Sequence, residues 1–272
     1  MQIWAPALTV LVVGTNAPRA PLDQSAIASE LSQYWRVSVV DLTTSTQDEI
    51  ARKLSNSPVI NSENFNDVVV AEFQSNGRGR LERSFDAPKS SALLFSFGHQ
   101  PKRSQSDWGF LPLLTGMCVA RSLNSFVLGD LPVTLKWPND LLIGDKKLGG
   151  MIAEVRGMSV IIGVGINIEM SPEELPVETA TSLSIVGSSE LNRNQILIKI
   201  LKEIQLGLTS WDAGEIFVDR YREASSTLGK QVRVHRPNGE ALDSRALDID
   251  PSGALILENG ERITVGDVIH LR

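Results

Sequence analysis

The pattern of the chain changes near residue 226, and this change limits the possible folds more than any other feature of the sequence. Before it, long apolar runs alternate with segments of helical spacing. After it, short β-like runs are separated by turn signals such as Pro237-Asn238-Gly239 and Asn259-Gly260, a pattern typical of a small β-barrel. We therefore predict an α+β fold with two domains: a mixed β-sheet with packed helices over residues 19–225, and a small C-terminal β-barrel over residues 226–272.

The length and composition fit this division. The 272 residues can form one large and one small domain, and the 42% of hydrophobic residues can supply a sizeable core. Residues 1–18 contain a short apolar run. A signal peptide begins with positive charge, but no Lys or Arg precedes Arg19. The run is also shorter than the ~20 apolar residues that span a bilayer. We predict a peripheral N-terminal extension over residues 1–18 and no membrane partner.

Apolar runs and helical spacing divide the first domain into alternating elements. Ser45 is expected to cap the second helix, with Asp48 as its capping partner. Residues 156–159 form the turn of a predicted hairpin. The predicted strands cover residues 37–42, 67–73, 91–97, 134–137, 148–155 and 160–168, and the predicted helices cover residues 22–34, 45–54, 110–123, 192–211 and 217–225.

A basic loop follows the second predicted strand. The sequence Gly77-Arg78-Gly79-Arg80-Leu81-Glu82-Arg83 combines three arginines with two glycines. Glycine lets the backbone approach a ligand closely, and the planar guanidinium donors match phosphate and carboxylate oxygens. The composition predicts a mobile loop that closes over a small anion, although a solvated basic turn has the same composition.

Several classes of function have little support in the sequence. The net charge of −6 is a poor match for a nucleic-acid partner, so we expect no DNA binding. A phosphate-binding Walker loop is absent, and Gly163-Val164-Gly165 lacks the third glycine of a dinucleotide fingerprint. NAD is therefore not expected, and because the three histidines are scattered, neither zinc nor haem is expected. The single cysteine, Cys118, is expected to be a buried thiol, which fits a reducing cytoplasm.

Several motifs in a fixed order resemble the biotin protein ligases, with the lipoate ligases as close relatives. The resemblance runs from about Thr43 to the C-terminus and implies a catalytic domain like that of class II synthetases. It is closest to the monofunctional type that lacks an N-terminal DNA-binding domain. Besides the basic loop, the motifs are Thr44-Ser45-Thr46, Lys136-Trp137-Pro138-Asn139-Asp140, Lys146-Lys147-Leu148-Gly149-Gly150, Gly163-Val164-Gly165-Ile166-Asn167 and Ala180-Thr181-Ser182-Leu183.

The resemblance implies an activity with two steps. Biotin and ATP form biotinyl-5′-adenylate with the help of magnesium, and a lysine of a biotin carboxyl carrier protein then attacks the adenylate. Such a protein is expected as a monomer or a homodimer. Two alternatives stay open at this point: a lipoate or octanoyl ligase, and a biotin-binding protein without turnover.

The resemblance also implies a set of site residues. An adenylating enzyme must stabilise charge on phosphoryl oxygens, and Lys147, Arg80 and Asp140 are assigned to catalysis. Asp140 is also a possible magnesium ligand, because hard cations prefer oxygen. The residues assigned to biotin are Ser45, Thr46, Gln74, Gly77, Arg78, Arg80, Lys147, Gly150, Gly163 and Gly165. The residues assigned to ATP and the adenylate are Arg80, Arg83, Phe85, Asn139, Lys147 and Asn167.

Three residues depart from the family pattern. Glu82 stands where glycine is usual, Phe85 replaces a tryptophan, and Gln47 replaces a more common asparagine. The first two bear on nucleotide affinity and on how long the adenylate is retained. None of the three replaces a residue assigned to the chemistry.

Overall fold

The computed structural model describes most of the chain. The described residues are 19–31, 34–56, 66–80, 83–237 and 239–271. The predictions for residues 1–18 and for Glu82 lie outside them.

Helices and strands follow one another in mixed order. The helices are α1 (Gln24–Glu30), α2 (Thr46–Asn56), α3 (Leu111–Asn124), α4 (Arg193–Asp212) and α5 (Val218–Ala224), and a 3-10 helix, Gln105–Phe110, precedes α3. The strands are β1 (Trp35–Val40), β2 (Asn66–Ala71), β3 (Ala92–His99), β4 (Val133–Lys136), β5 (Asp140–Ile143), β6 (Lys146–Arg156), β7 (Ser159–Asn167), β8 (Gln231–His235), β9 (Ala241–Ile249), β10 (Leu255–Leu257), β11 (Arg262–Ile263) and β12 (Asp267–His270).

The first seven strands form one mixed sheet in the order β1-β2-β3-β7-β6-β5-β4. Strands β1 and β2 are parallel, and the other neighbours are antiparallel. The central strands β3 and β7 are buried along their whole length, which explains their nearly continuous apolar sequences. The mixed α+β architecture is the predicted one.

The two faces of this sheet differ. Because successive residues of a strand point to opposite faces, Val68 of β2 joins the main core with α3 and α4, whereas its neighbour Val69 packs under α2. Ile161 of β7 also packs under α2. Gly163 and Gly165 share the face of Ile161, and this face is therefore open beside α2.

The remaining strands form a five-stranded antiparallel sheet in the order β11-β10-β9-β8-β12. This is the predicted C-terminal β-unit, and its alternating exposed and buried residues match the pattern read from the sequence. Strands β5, β11 and β12, with four, two and four residues, were not predicted. Periodicity is weak in such short runs, and β4, which also has four residues, was predicted from the Pro138 break that ends it.

A buried ion pair ties the N-terminal segment to the sheet. Arg193 Nη2, at the start of α4, lies 2.7 Å from Glu72 Oε2, and both side chains are almost fully buried. Glu72 also accepts hydrogen bonds from the Leu22 amide at 2.5 Å and from Ser90 Oγ at 2.8 Å. Arg193 donates to the Ala20 carbonyl at 2.7 Å. The charges are thus fully hydrogen-bonded, as buried charges must be.

No helix in the described part of the chain is long and apolar enough to cross a membrane.

Candidate active site

A cleft of about 760 Å³, part of it open solvent, lies on the α2 side of the large sheet. Its floor is formed by strands β3, β6 and β7, and its walls come from the start of α2, the basic loop and the Asn139–Asp140 turn. The structure brings most of the predicted site residues to this cleft: Ser45, Thr46, Gln74, Arg78, Arg80, Arg83, Phe85, Asn139, Asp140, Lys147, Gly150, Gly163 and Gly165.

The charged end of the cleft is built around Lys147. Its Nζ lies 2.6 Å from Asp140 Oδ1, and the Asp140 side chain is only 19% exposed. The two residues lie on neighbouring antiparallel strands, β5 and β6, where Asp140 pairs with Gly150 and Lys147 pairs with Leu142, so their side chains meet diagonally. A β-bulge near Leu142 shifts the register between these strands, and bulges next to active sites commonly redirect a side chain. The lysine therefore has a fixed position with its ammonium group inside the cleft.

The arginines of the basic loop point to different partners. Arg80 Nη1 lies 3.4 Å from Asn139 Oδ1. Burial lowers the pKa of Arg80, while the nearby charges of Asp267 and Asp140 act in the opposite direction. Arg78 is paired with Asp48. Arg80 is thus the arginine placed nearest to Asn139 and Lys147.

The opposite end of the cleft is neutral and rich in hydrogen-bonding groups. Gln74 Oε1 accepts hydrogen bonds from the Thr46 amide at 2.7 Å and from Thr46 Oγ1 at 3.0 Å. Thr46 Oγ1 also lies 2.7 Å from Ser96 Oγ. The backbone N–H of Gln47 donates to Ser45 Oγ at 3.3 Å. This hydrogen bond fits the predicted capping role of Ser45 at α2. Asp48, expected as its capping partner, is instead paired with Arg78.

The glycines of β7 leave room for side chains from other elements. A Cβ on Gly163 would lie 3.1 Å from Gln47 Cγ and from Ser96 Oγ. A Cβ on Gly165 would lie 2.8 Å from Phe85 Cζ, because the phenyl ring rests directly on the strand. The glycines were expected to allow the close approach of a ligand or backbone. In this structure the close neighbours are side chains that line the same cleft.

Two predicted site residues are not part of the cleft lining. Gly77 is buried, and a Cβ there would lie 2.2 Å from the Phe85 carbonyl oxygen, so this glycine allows two backbone segments to cross. Asn167 is only 5% exposed, and its Nδ2 donates to the Thr181 carbonyl at 2.9 Å.

The cleft also contains residues that the sequence did not single out. Ser96 lies on the open face of β3 and could have been found from the two-residue period of that strand. Asp267 belongs to β12 of the C-terminal sheet, and its Oδ2 lies 2.5 Å from Arg83 Nη2. No local signal could have placed it here, since the contact depends on how the two sheets pack. Gln47 and Gly79 were noted in the sequence but not assigned to the site, and the remaining unpredicted lining residues are Ser84, Leu94, Met151, Ile152 and Val164.

The C-terminal sheet also holds the Trp-Pro-Asn-Asp turn. The buried Trp137 donates its indole N–H to the Gly253 carbonyl at 3.0 Å and its amide to Thr227 Oγ1 at 3.0 Å. Thr227 Oγ1 lies 3.0 Å from His270 Nε2. Burial, with the nearby charges of Lys230 and Lys136, lowers the pKa of His270 to about 4. A neutral imidazole nitrogen can accept a hydrogen bond from the Thr227 hydroxyl, so the low pKa of His270 fits this chain of hydrogen bonds.

Fold and cleft together define a class of protein. A mixed sheet with helices on both faces carries a cleft with lysine, arginine and carboxylate at one end and neutral hydrogen-bonding groups at the other. Among the described residues, no group of three His, Cys, Asp or Glu side chains could hold a metal ion by itself. The class is that of proteins that bind a carboxylic acid with a polar head group together with a phosphate-bearing co-substrate.

Comparisons with known proteins agree with this class. The model of the Biotin/lipoate A/B protein ligase family matches residues 39–171, and that of the Biotin protein ligase C terminal domain matches residues 227–271. The biotin--[acetyl-CoA-carboxylase] ligase of Mycobacterium tuberculosis is 34% identical over 93% of this chain and 97% of its own length. A bifunctional ligase/repressor of Bacillus subtilis is 29% identical over 82% of this chain and 69% of its own length.

Solved structures give the same result. The biotin protein ligase from Aquifex aeolicus, in complex with biotin and ATP, superimposes with a TM-score of 0.69 at 27% identity, covering 87% of this chain and 98% of that one. The chain belongs to the biotin/lipoate A/B protein ligase family, and within it to the biotin protein ligases.

Proposed function

We propose that this protein attaches biotin to a lysine of a biotin carboxyl carrier protein with cleavage of ATP to AMP and pyrophosphate. The observation that carries the proposal is the convergence of Lys147, Asp140, Arg80 and Asn139 at one end of a cleft whose other end is neutral. The first half-reaction forms biotinyl-5′-adenylate, and the second transfers the biotinyl group to the ε-amine of the acceptor lysine.

Lys147 and Arg80 supply the positive charge that adenylation requires. The biotin carboxylate must approach the α-phosphorus of ATP, and both reactants are anions that repel each other. A lysine ammonium held by Asp140 and a half-buried guanidinium near Asn139 reduce that repulsion and stabilise charge on the phosphoryl oxygens. Because both cations are held in place before the substrates bind, little reorganisation is needed during the reaction.

The neutral end of the cleft is assigned to the ureido ring of biotin. A ureido group offers two N–H donors and one carbonyl acceptor, and Ser45, Thr46 and Ser96 carry hydroxyls that can serve as either partner. Gln74 fixes Thr46 through two hydrogen bonds to its Oε1. Ser96 thus joins the residues proposed for biotin, and Gln47 shapes the wall beside Gly163.

Magnesium fits the donor set at the charged end. Asp140 and Asn139 present a carboxylate and an amide oxygen, the ligand types that Mg²⁺ prefers, and Mg²⁺ is usually held by one or two such groups together with substrate phosphates. Asp140 would hold the ion, which neutralises phosphate charge when it is bound. Asp140 is also proposed to help the acceptor lysine lose its proton.

Phe85 and Arg83 remain assigned to the nucleotide, as does Asn167. We propose a boundary near residue 226 between the catalytic and C-terminal domains, and a cytoplasmic protein without DNA or membrane partners. We expect a monomer or a homodimer, and sedimentation velocity distinguishes the two.

The test is pyrophosphate release on mixing the protein with magnesium-ATP and biotin, with lipoate in a parallel reaction. We expect release with biotin only. Lys147→Ala should lower the rate at least ~100-fold, the low end of the loss when an electrostatic stabiliser is removed. Lys146→Ala is the matched control, because Lys146 is the adjacent lysine, is exposed and does not line the cleft.

Other outcomes would redirect the assignment. Release with lipoate alone would indicate a lipoate-type ligase, and no release with either acid would indicate a binding protein without turnover. Transfer to a carrier domain, followed by mass spectrometry, tests the second half-reaction. Arg80→Gly is expected to release the adenylate early, and unchanged retention of adenylate by that variant would contradict the role of the arginine.

A further inference from the structure

Lys147 lies beyond the end of the ladder between β6 and β7. That ladder begins at the pair Gly149–Ile166, so the backbone of Lys147 has no partner in β7. Its partner is the segment 179–181, which adds one parallel bridge at Ala180. The Lys147 amide donates to the Thr179 carbonyl at 2.7 Å, and the Thr181 amide donates to the Lys147 carbonyl at 2.8 Å. The segment 179–181 therefore holds both backbone polar groups of the lysine.

Asn167 attaches this segment to the sheet. It is the last residue of β7, where its backbone pairs with Ala92 of β3. Its Nδ2 donates to the Thr181 carbonyl at 2.9 Å, and its own carbonyl accepts from the Leu183 amide at 3.1 Å. Asn167 thus binds the segment on both sides of Ser182, and the segment binds Lys147.

The register on the other side of Lys147 makes this support necessary. Leu142 of β5 pairs with Lys147 across the β-bulge, where regular pairing is interrupted. Gly149, two residues on, allows the β7 backbone to approach so closely that a Cβ would lie 2.3 Å from the Gly165 carbonyl oxygen. The lysine is thus held between an irregular strand pair and the segment 179–181. This segment is anchored further along the chain by Ser182 Oγ to the Met170 carbonyl at 2.7 Å and by the Ser184 amide to the Ile168 carbonyl at 2.9 Å, and Asn167 Nδ2 is the side-chain bond at Thr181 itself.

We propose that Asn167 is a positioning residue that acts through Thr181 and Lys147, in addition to its proposed contact with the nucleotide. The proposal rests on the assignment of Lys147 to adenylation and goes beyond it by explaining what places the lysine. It also gives the Ala-Thr-Ser-Leu motif a role: the backbone of this motif supports the catalytic lysine.

The first test is structural and does not need activity. In Asn167→Ala, the amides of Lys147 and Thr181 should exchange with solvent about tenfold faster, the factor expected for loss of one internal hydrogen bond. Amides in the centre of β7 should be unchanged. Asn124→Ala is the matched control, since Asn124 Nδ2 makes a comparable bond to the Val133 carbonyl at 3.1 Å, away from the cleft. Unchanged exchange at Lys147 and Thr181 would overturn the proposal.

The second test is kinetic and separates positioning from nucleotide binding. Asn167→Ala should lower kcat for biotin-dependent pyrophosphate release about tenfold at saturating ATP, in addition to any rise in KM for ATP that loss of the nucleotide contact causes. In a Lys147→Ala background the same substitution should have no further effect on kcat, because residues that act as one unit are not additive. A raised KM with normal kcat, or an equal loss in both backgrounds, would refute the proposal. If wild-type protein releases no pyrophosphate with biotin, the proposed function fails, while the exchange test still decides the role of Asn167.

Discussion

Gly165 provides a sharp test of how the cleft is built. The ring of Phe85 packs against Gly165 on the open face of β7. A Cβ added at Gly165 would lie 2.8 Å from Cζ, 2.9 Å from Cε2 and 3.0 Å from Cε1 of that ring. Carbon atoms in contact normally lie about 3.5–4.0 Å apart. Gly165→Ala must therefore push the ring about 1 Å away from the strand.

The ring cannot move without cost. Phe85 packs against a small cluster of Ala87, Ala92, Leu94 and Met170, so the displacement disturbs a buried contact. Overpacking of this kind costs about 1–3 kcal/mol of unfolding free energy. At roughly 2–4 °C per kcal/mol for a chain of this size, the melting temperature should fall by about 2–12 °C. If Phe85 contacts the nucleotide, KM for ATP should rise several-fold more than KM for biotin.

The assay is thermal unfolding of a double-mutant cycle. In a Phe85→Ala background the Gly165→Ala substitution should cost less than about 0.5 kcal/mol, because the obstructing ring is gone. Gly129→Ala controls for the substitution itself, since nothing lies within 4 Å of a Cβ at that position. An equal cost of Gly165→Ala in both backgrounds would refute the reasoning.

Three further predictions concern stability and reactivity. Arg193→Ala should lower the unfolding free energy by about 3–5 kcal/mol in denaturant titration, because Glu72 is left as a buried and uncompensated charge; a loss below about 1 kcal/mol would contradict this. Burial lowers the pKa of His270 in the folded protein to about 4, while in the unfolded chain the pKa of histidine is about 6.5. As the pH falls, the imidazole is therefore protonated first in the unfolded chain, and unfolding free energy should be lost between about pH 6.5 and pH 4. His270→Gln should flatten that part of the pH profile, and an unchanged slope would count against the shift. Burial raises the pKa of the Cys118 thiol to about 12, so alkylation at pH 8 should be slow in the native protein and rapid in urea; fast native labelling would mean that the thiol is accessible.

The sequence predicted the parts of the site that depend on local pattern. The two-residue period of β7 places Gly163 and Gly165 on one face, and the helix signal at Ser45 places the start of α2. These features follow from the chain within a few residues of each position. The family resemblance predicted that Lys147, and not the adjacent Lys146, faces the cleft. In the structure Lys147 lines the cleft.

The sequence could not predict contacts between distant elements. The place of Asn167 depends on segment 179–183, which forms no regular strand and pairs with the sheet through hydrogen bonds at single positions. The ion pair of Arg193 with Glu72, at 2.7 Å, could not be predicted either. Strands β3 to β7 lie between these two residues in the sequence. Such contacts arise only when the fold is complete, and motif spacing carries no information about them.

The C-terminal sheet illustrates why a domain division read from sequence need not separate functions. It provides Gly253 and Thr227, which hold Trp137, and Asp267, which pairs with Arg83. Trp137 lies two residues before Asn139, so the turn that carries Asn139 and Asp140 is held by hydrogen bonds from the second sheet. Because an exposed ion pair contributes only about 0–1 kcal/mol, the Asp267–Arg83 contact adds little to stability. Its effect is to bring a carboxylate of the C-terminal sheet to a cleft that is also lined by arginines and a lysine, so residues of both sheets line the cleft.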